Sequence, residues 1–349
     1  MTSQRWKHRP FGSNWGEFGS DDRIGRLNLL TSEKVCQGAA EVVAGESFCL
    51  SLPLDLPGGS ALNANRLPPV VRPTLRKGQV NFNCEMRQFD PSCTDVLSDD
   101  LAVLHLQYST QWDSFAHAGQ LFDADGDGVP EPVYYNGYRA GIDVTGPATT
   151  ADAGMSTLHE CSTSDAGPLS INHFAEKAIQ GRGVMIDLFA HFGDERRTVT
   201  GADVRAVLDE DGVVVEPGDI VCFHTGFAER VFAMAGSPDP DVLHNYGAVL
   251  DGRDEDLLGW ITVSGLAAIA CDNYAVELYP ATPGPPPCSI LPLHEHCLFK
   301  LGVPLGELWR LSPLATWLRE QGRSRFQLTA PPLNLPRAAA SPLTPVGTV

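Results

Sequence analysis

The stretch His105-Leu-Gln-Tyr-Ser-Thr-Gln-Trp-Asp-Ser-Phe-Ala-His117 decides how the rest of the chain is interpreted. Its residues largely alternate between polar and bulky apolar types, which is the period of a β-strand because successive side chains point to opposite faces. The run is too long to stay straight, so we predict a strand to about Thr110 and a bend beyond it. The polar parity then forms the floor of a site. Its members are His105, Gln107, Ser109, Gln111, Asp113 and His117.

The bulk composition is that of a globular and acidic protein. The chain has 349 residues, of which 43% are hydrophobic and 19% charged, and its net charge is −18. Length alone allows one to three domains at roughly 100–200 residues each. An acidic surface repels phosphate backbones and anionic lipid, so we expect neither nucleic acid nor membrane as a partner. The same acidity suits a soluble cytoplasmic protein.

Targeting signals and cysteine usage agree with a cytoplasmic location. No apolar run approaches the roughly 20 residues that span a bilayer, and residues 1–14 lack the apolar segment of a signal peptide. The nine cysteines are odd in number, scattered along the chain, and form no CxxC pair. We therefore expect reduced thiols, no disulfide framework and no zinc ribbon.

The order of elements predicts one large domain. Residues 1–20 form an extended arm whose Trp6 and Trp15 must bury on the main body or on a second subunit. Residues 21–335 form the domain, and residues 336–349 form a loose tail. Apolar periodicity and capping residues predict helices at 33–44, 171–180, 201–208, 293–301 and from Ser312 onward. Strands are predicted at 47–54, 184–189, 220–223, 266–270 and 325–329.

Three of the apolar strands run directly into polar clusters. The clusters are Asp187 with His191, His224-Thr-Gly226, and Cys271-Asp-Asn273. In α/β folds the carboxyl ends of strands are where sites are assembled. Asp272, at the end of one such strand, is equally a candidate for a site or for a turn.

Two loops are long enough to set specificity. Residues 55–80 are rich in Pro, Gly and Asn, and we interpret them as an ordered loop over the site. Residues 118–135 contain alternate aspartates followed by Gly128, which imitates the first half of a calcium loop. The twelfth position is Tyr134 where a bidentate Glu belongs, so a polar hairpin is the favoured interpretation.

Asp113 and His117 are the strongest candidates for chemistry. A carboxylate and an imidazole on one edge can bind a divalent metal, with the amide oxygens of Gln107 or Gln111 as weak neutral ligands. His117 can instead act as general base on a water molecule. From the residues alone, the plainer alternative is a polar strand end in a core. His294 lies on an apolar helix face, where a core histidine with satisfied hydrogen bonds is the commoner outcome.

The central stretch resembles the signature HxGTHxDxPxH of the metal-dependent cyclase-like hydrolases, a family that includes bacterial kynurenine formamidase and isatin hydrolase. Thr110, Asp113 and His117 match this signature, while Gln107 and Gln111 replace its two metal-binding histidines. Further motifs resemble the family in the same order along residues 15–340. They lie at 15–19, 26–30, 217–221, 224–226, 271–277, 293–294, 302–304, 306–308 and 330–336.

The resemblance implies an α/β fold of the swivelling β/β/α type, with mixed β-sheets around a central core and helices outside. It also implies a homodimer or homotetramer and a divalent metal, zinc or manganese, that activates water. Asp113 would be a metal ligand and His117 the acid or base beside it. His294 and Glu307 match the late His and Glu that complete the family's site, with His294 as a ligand and Glu307 as a catalytic group.

The remaining site residues and the reaction class follow as expectations. Trp112, Phe115 and Asp272 are expected to contact the substrate. The reaction is opening of an amide, imide-like or lactone bond in a small cyclic or aromatic molecule, by water activated by the metal, by His117, or by both.

The replacement of two histidines leaves alternatives open, because imidazole binds zinc far better than a neutral amide does. Metal can remain, preferably a harder ion such as manganese, held by Asp113, one or both of Gln107 and Gln111, His294 and Glu307. The chemistry can instead be metal-free acid–base work by His117 with Asp113 and Glu307, or catalysis can be lost. The rival functions are therefore a non-hydrolytic lyase or cyclase, and a metal-free binding protein on the same fold.

Overall fold

The computed structural model describes residues 4–154 and 161–349, and its centre is a nine-stranded sheet. In chain order the strands are Ser47–Cys49 (β1), Val70–Pro73 (β2), Leu75–Arg76 (β3), Gln79–Val80 (β4), Cys84–Glu85 (β5), Val96–Leu97 (β6), Asp100–Val103 (β7), Gln111–Asp113 (β8), Gln120–Phe122 (β9), Glu131–Val133 (β10), Gln180–Asp187 (β11), Arg197–Val199 (β12), Ile220–His224 (β13), Ala248–Leu250 (β14), Ala268–Cys271 (β15), Leu305–Glu307 (β16), Arg325–Thr329 (β17), Ala340–Pro342 (β18) and Val346–Thr348 (β19). The order in the central sheet is β1-β19-β17-β11-β13-β15-β16-β8-β18.

The middle of this sheet is parallel and its two flanks are antiparallel. β11, β13, β15 and β16 run parallel to one another, whereas β17, β19 and β1 continue antiparallel on one side. On the other side, β8 pairs antiparallel with both β16 and β18. β13, β15 and β16 are buried along their whole length and β11 along all but its two end residues, as expected for strands covered on both faces. The predicted mixed α/β fold is confirmed.

Helices lie outside the sheet and begin at identifiable caps. Thr200 accepts a bond from Asp203 N, and the Asp203 carboxylate accepts from Thr200 N, which is a capping box. The α-helices are Ser32–Ala40 (α1), Asn172–Lys177 (α2), Leu188–Phe192 (α3), Gly201–Asp211 (α4), Phe227–Ala233 (α5), Pro240–His244 (α6), Glu255–Ser264 (α7), Pro292–His294 (α8) and Ser312–Glu320 (α9). Short 3₁₀-helices occupy Gly25–Leu29, Met86–Gln88, Tyr135–Gly137, Thr150–Asp152 and Gly167–Leu169.

A π-helical segment, Glu295–Leu301, continues α8 and ends at Gly302, as the sequence predicted for this helix. Gly302 has a φ of 57°, and a Cβ there would lie 2.7 Å from the Tyr135 ring and 2.8 Å from the Cα atom of Gly25. Only glycine fits this position, because the backbone is left-handed and the neighbouring chain is too close for a side chain.

The strand predicted to reach Thr110 is wrong. Residues 104–110 are irregular, and the strand begins only at Gln111. Side chains hold this irregular backbone: Thr110 Oγ1 accepts from Leu52 N at 2.9 Å, and the Tyr108 hydroxyl accepts from Gly58 N at 2.9 Å. The alternation of polar and apolar residues up to Thr110 therefore accompanies these individual hydrogen bonds and not an extended strand.

The hairpin interpretation of the aspartate-rich loop is confirmed. β9 and β10 pair antiparallel around it. The Asp123 carboxylate accepts from the backbone N–H groups of Gly126 and Gly128, which is turn chemistry. Arg139 neutralises both Asp125 and Glu131.

The loose tail predicted at 336–349 is wrong, because β18 and β19 lie in the central sheet and Val349 is buried. The error arose because these short strands sit among Pro, Thr and Ala, which carry little strand signal. The N-terminal arm packs on the main body. Trp15 Nε1 donates to Phe299 O at 2.8 Å, and the Trp6 ring stacks edge-on against Trp15 at 5.6 Å.

In the part of the chain that the structure describes, no helix has both the length and the apolar character needed to cross a membrane. All nine cysteines carry free thiols. Burial raises the pKa of the Cys222 thiol well above its ordinary value, so this residue behaves as a small hydrophobic side chain.

Candidate active site

Sheet register brings the first part of the site together. β8 and β16 pair antiparallel so that Gln111 lies opposite Glu307 and Asp113 lies opposite Leu305. Directly opposed residues on one face are in contact range, and Gln111 Nε2 donates to Glu307 Oε2 at 3.2 Å. Both side chains are buried, so this contact is made away from water.

Gln107 joins Asp113 to His117. The Gln107 amide nitrogen donates to Asp113 Oδ1 at 2.6 Å and lies 2.8 Å from His117 Nδ1. Because an amide nitrogen only donates, Nδ1 of His117 accepts in this arrangement and the ring proton lies on Nε2. His117 sits in a turn just after β8, where its backbone N–H bonds to Ser114 O at 3.0 Å.

His294 is oriented by a carboxylate behind it. Its Nδ1 lies 2.8 Å from Glu277 Oε1, and Glu277 also accepts from the backbone N–H groups of Leu293 and His294 at the start of α8. Its other nitrogen, Nε2, lies 3.4 Å from Glu307 Oε1. A carboxylate that fixes one imidazole nitrogen and leaves the other for a ligand is the usual support of a metal-binding histidine.

The pKa values of Asp113 and Glu307 are shifted in opposite directions. Burial raises the pKa of Asp113, and the nearby His117 only partly offsets this effect. Burial also raises the pKa of Glu307, but the hydrogen bond and charge of His294 outweigh it and leave the pKa below its ordinary value. For His294, burial lowers the pKa, yet bonds to Glu277 and Glu307 raise it to about 10. Neighbouring groups with diverging pKa values are characteristic of acid–base sites.

The donor set fits a divalent metal. Asp113, His117 and His294 each offer one ligand atom, and these atoms lie within 4.8 Å of one another. Asp113 Oδ2 and Gln111 Oε1 are buried and have no hydrogen-bond partner among the described residues. A buried oxygen without a hydrogen-bond partner costs free energy. Two such oxygens in this cluster fit a site that binds a ligand through them.

Trp112 and Phe115, expected to contact substrate, are not brought to this cluster. β8 alternates, so Trp112 points to the opposite face from Gln111 and Asp113. Its ring lies 4.9 Å from Trp309, and Phe115 packs between Tyr135 and Phe174. Both side chains are completely buried in the hydrophobic core, which corrects the expectation drawn from the sequence.

Asp272, the third expected substrate contact, belongs to a different cluster. Its carboxylate accepts from Thr225 N, Thr225 Oγ1 and Gly226 N, each at 2.7 Å. These bonds pin the loop after β13, so the turn alternative for Asp272 is the one the contacts support. The polar strand ends do meet at one sheet edge, as predicted, since β13 pairs with β11 and β15.

Sequence reasoning missed Glu277, Arg66 and Tyr274. Glu277 lies in a stretch noted for its family resemblance, but nothing in that stretch singles it out as the partner of His294. Arg66 reaches over the site, where its Nη1 donates to Gln107 O at 2.7 Å. Asn63, from the same loop, donates to the Tyr274 hydroxyl at 3.2 Å. Residues 57–67 thus cover the site, as expected for the loop at 55–80, leaving a gap of about 10 Å³ beneath them.

Comparisons with known proteins identify the family of the chain. The Cyclase family model matches residues 77–278, more than half of the chain, so the protein belongs to the cyclase family. A crystal structure described as a novel cyclase is similar at 28% identity, with 97% of each chain covered and a TM-score of 0.72. A sequence comparison with curated proteins finds no match.

More distant structures share the fold. Isatin hydrolase A from Labrenzia aggregata, bound to benzyl benzoate, is 12% identical over 86% of this chain and 93% of its own, with a TM-score of 0.52. An isatin hydrolase bound to the product analogue thioisatinate is 13% identical over 92% of this chain and 99% of its own, with a TM-score of 0.51. At these identities the likeness shows the fold alone.

Proposed function

We propose that this protein is a hydrolase that uses water to open an amide, imide-like or lactone bond in a small cyclic or aromatic molecule. The observation that carries the proposal is the convergence of Asp113, His117 and His294 within 4.8 Å beneath a covering loop. Fold resemblance to isatin hydrolases supports the same reaction class by analogy only. The proposed reaction therefore depends on the residues of the site.

His117 is the proton-transfer group. Its Nδ1 is held by Gln107 and its ring is half-buried, so Nε2 is the atom left for a reacting water or a leaving group. With the amide nitrogen at Nδ1, Nε2 carries a proton and can donate it. If the amide turns so that its oxygen faces Nδ1, the proton moves to Nδ1 and Nε2 becomes a base. Gln107 thus selects between the two roles.

Cationic groups can stabilise the negative charge that develops on an acyl oxygen. With its pKa raised to about 10, His294 is protonated at neutral pH when no metal is bound. Arg66 lies close enough to lower the pKa of Glu307 and is fixed over the site by its bond to Gln107 O. Preorganised donors of this kind act most strongly in a site from which water is excluded.

A divalent metal would be held by Asp113 and His294, with the unpartnered oxygens of Asp113 and Gln111 nearby. His117, whose Nε2 is the proton-transfer atom, would lie beside the ion as acid or base. When bound, such an ion polarises an acyl carbonyl and makes water more acidic. Imidazole suits zinc, whereas carboxylate and amide oxygens suit manganese, so both remain candidates.

A non-hydrolytic lyase or cyclase, or a binding protein, is the alternative, and one observation favours it. The Gln107 nitrogen lies between Asp113 and His117 at 2.6 and 2.8 Å, and so links two of the proposed ligands directly. Moving a substrate proton to or from Asp113 or His117 needs neither metal nor attacking water. A lyase or cyclase predicts turnover of a substrate without incorporation of solvent oxygen, whereas a binding protein predicts no turnover.

A substrate panel of small aromatic amides, formamides, imides and lactones tests the proposal, run in water enriched in ¹⁸O. We expect wild-type protein to hydrolyse at least one of them and to place ¹⁸O in the product. His117→Ala should lose roughly 10²–10⁴-fold in kcat/KM, the usual contribution of a general acid or base. His173→Ala, on α2 and paired with Glu176, is the matched control and should remain active. Full activity of His117→Ala would refute the assignment, and turnover without ¹⁸O would favour the alternative.

A further inference from the structure

A separate cavity of about 160 Å³ lies directly behind the candidate site. Glu277, which lines it, is the carboxylate that holds His294 at 2.8 Å. Leu62 and Tyr274 line both this cavity and the narrow gap under the covering loop, where Gln107 and Arg66 lie. The cavity therefore adjoins the groups assigned to catalysis.

Apolar and aromatic side chains form more than half of the lining, beside the polar residues Arg196, His244, Asn273 and Glu277, and the volume suits one ring. Phe227, Leu243, Val249 and Tyr279 contribute to the lining together with Tyr274. A cavity of about 150 Å³ lined by apolar side chains holds a benzene molecule. The size and lining thus fit a single aromatic ring with small substituents.

The guanidinium of Arg196 gives this cavity a positive charge. Within the described part of the chain its guanidinium has no carboxylate partner, and its one hydrogen bond is a long contact of 3.3 Å to Tyr246 O. Its neighbour Arg197, by contrast, pairs with Asp203. Burial lowers the pKa of Arg196, but arginine stays charged at any physiological pH. A half-buried cation without a counter-ion, in a chain of net charge −18, is a ready partner for an anionic ligand.

Asn273 adds an acceptor. Its Nδ2 donates to Val276 O at 3.2 Å and to Ala248 O at 3.4 Å, so the amide nitrogen must face these two carbonyl oxygens. The opposite atom, Oδ1, is buried and has no partner among the described residues. Asn273 lines the same cavity and is 1% exposed, so this unmet acceptor is a second, independent sign of a ligand.

We propose that this cavity binds a small aromatic carboxylate, with the carboxylate on Arg196 and an O–H or N–H group of the ligand donating to Asn273 Oδ1. The inference rests on the proposed function, because it names the class of substrate or product that the adjoining site handles. It commits to an anionic aromatic ligand, where the proposed function specifies only a small cyclic or aromatic one.

Calorimetric titration of the full chain with 4-hydroxybenzoate and with its neutral analogue 4-hydroxybenzamide tests the proposal. We expect wild-type protein to bind the carboxylate at least 10-fold more tightly than the amide, since a charge-assisted pair contributes about 1.5–3 kcal/mol, or roughly 10- to 150-fold. Arg196→Gln should remove that preference and Arg196→Lys should keep part of it. Arg205→Gln, a surface arginine paired with Asp256, is the matched control and should bind as wild type does.

Two results overturn the inference: absence of 4-hydroxybenzoate binding to folded wild-type protein, or equal binding of the carboxylate by wild type and Arg196→Gln. The His117→Ala variant separates this proposal from the proposed function. We expect it to bind 4-hydroxybenzoate with wild-type affinity while lacking hydrolase activity. If His117→Ala is active but the Arg196 dependence holds, the catalytic assignment fails and the anion site stands.

Discussion

Two histidine–carboxylate clusters lie at the same edge of the central sheet, and they differ in how completely their polar atoms are bonded. The cluster around His224 is saturated. His224 Nδ1 lies 2.7 Å from Asp187 Oδ1 and Nε2 lies 2.9 Å from Ser312 Oγ, while Asp272 accepts three bonds from the next loop. The cluster around His294 leaves Asp113 Oδ2 and Gln111 Oε1 without partners among the described residues.

This difference distinguishes a structural cluster from a candidate functional cluster more clearly than residue type does. Both clusters combine imidazole with buried carboxylates, and both follow apolar strands, so residue type alone gives no reason to prefer one. A fully bonded cluster has no capacity left for a ligand and mainly holds loops in place. A buried polar atom without a hydrogen-bond partner costs free energy. A functional site tolerates this cost because a bound ligand supplies the hydrogen bond.

The largest effect expected from the comparison is on folding. Asp272→Ala leaves the N–H groups of Thr225 and Gly226 without their carboxylate, and it removes the second carboxylate near His224, at 4.0 Å from Nε2. We expect the free energy of unfolding to fall by about 3–5 kcal/mol, measured by urea denaturation. The control Asp256→Ala removes an exposed ion pair with Arg205 and should change it by less than about 1 kcal/mol.

The partner experiment is Asp113→Asn in the other cluster. Burial already disfavours the charged form of Asp113, and one of its oxygens has no partner. Asparagine keeps an oxygen for Gln107 and removes the buried charge, so stability should change by no more than about 1 kcal/mol while hydrolysis is lost. A loss of stability as large as that of Asp272→Ala would erase the distinction between the clusters.

A second, smaller effect concerns metal addition. If the His294 cluster holds a divalent ion, Mn²⁺ or Zn²⁺ at 100 times its dissociation constant should stabilise the protein by about 2.7 kcal/mol. Thermal unfolding of chelator-treated protein, with and without each ion, measures this. Asp113→Asn and His294→Gln should reduce the stabilisation, whereas Ser312→Ala should leave it unchanged. Equal stabilisation in all four proteins would place the ion elsewhere.

The sequence supports prediction of the fold better than prediction of the contacts within the site. Apolar runs such as Ile220–His224 and the capping box at Thr200 are local signals, and the structure confirms them. The final strands were missed because β18 and β19 gain their stability from pairing with distant β8 and β17, which a local pattern does not record.

The site was predictable only where alternation or a motif placed residues together. Asp113, His117, His294 and Glu307 meet as expected. Trp112 was wrongly expected to contact substrate, although the alternation already places it on the face opposite Gln111 and Asp113. Glu277 could not have been identified from the sequence, because its role depends on contact with His294, 17 residues later. Arg196 could not have been identified either, because its proposed role depends on the lack of a carboxylate partner among the described residues.

The smallest expected effect is the pH dependence of the saturated cluster. Burial lowers the pKa of His224, but the bond to Asp187 and the charges of Asp272 and Asp187 outweigh burial and the opposing charge of Arg319, so the pKa lies above its ordinary value. A raised folded-state pKa contributes stability that is complete below the unfolded value of about 6.5 and is lost as pH rises through the folded value. Denaturation of wild type and His224→Gln at pH 6 and pH 9 measures this. The wild type should lose more stability between the two pH values than the variant does, because only the wild type releases this proton. Equal losses would show that His224 is already neutral in the fold and that Asp187 and Ser312 hold it by uncharged hydrogen bonds alone.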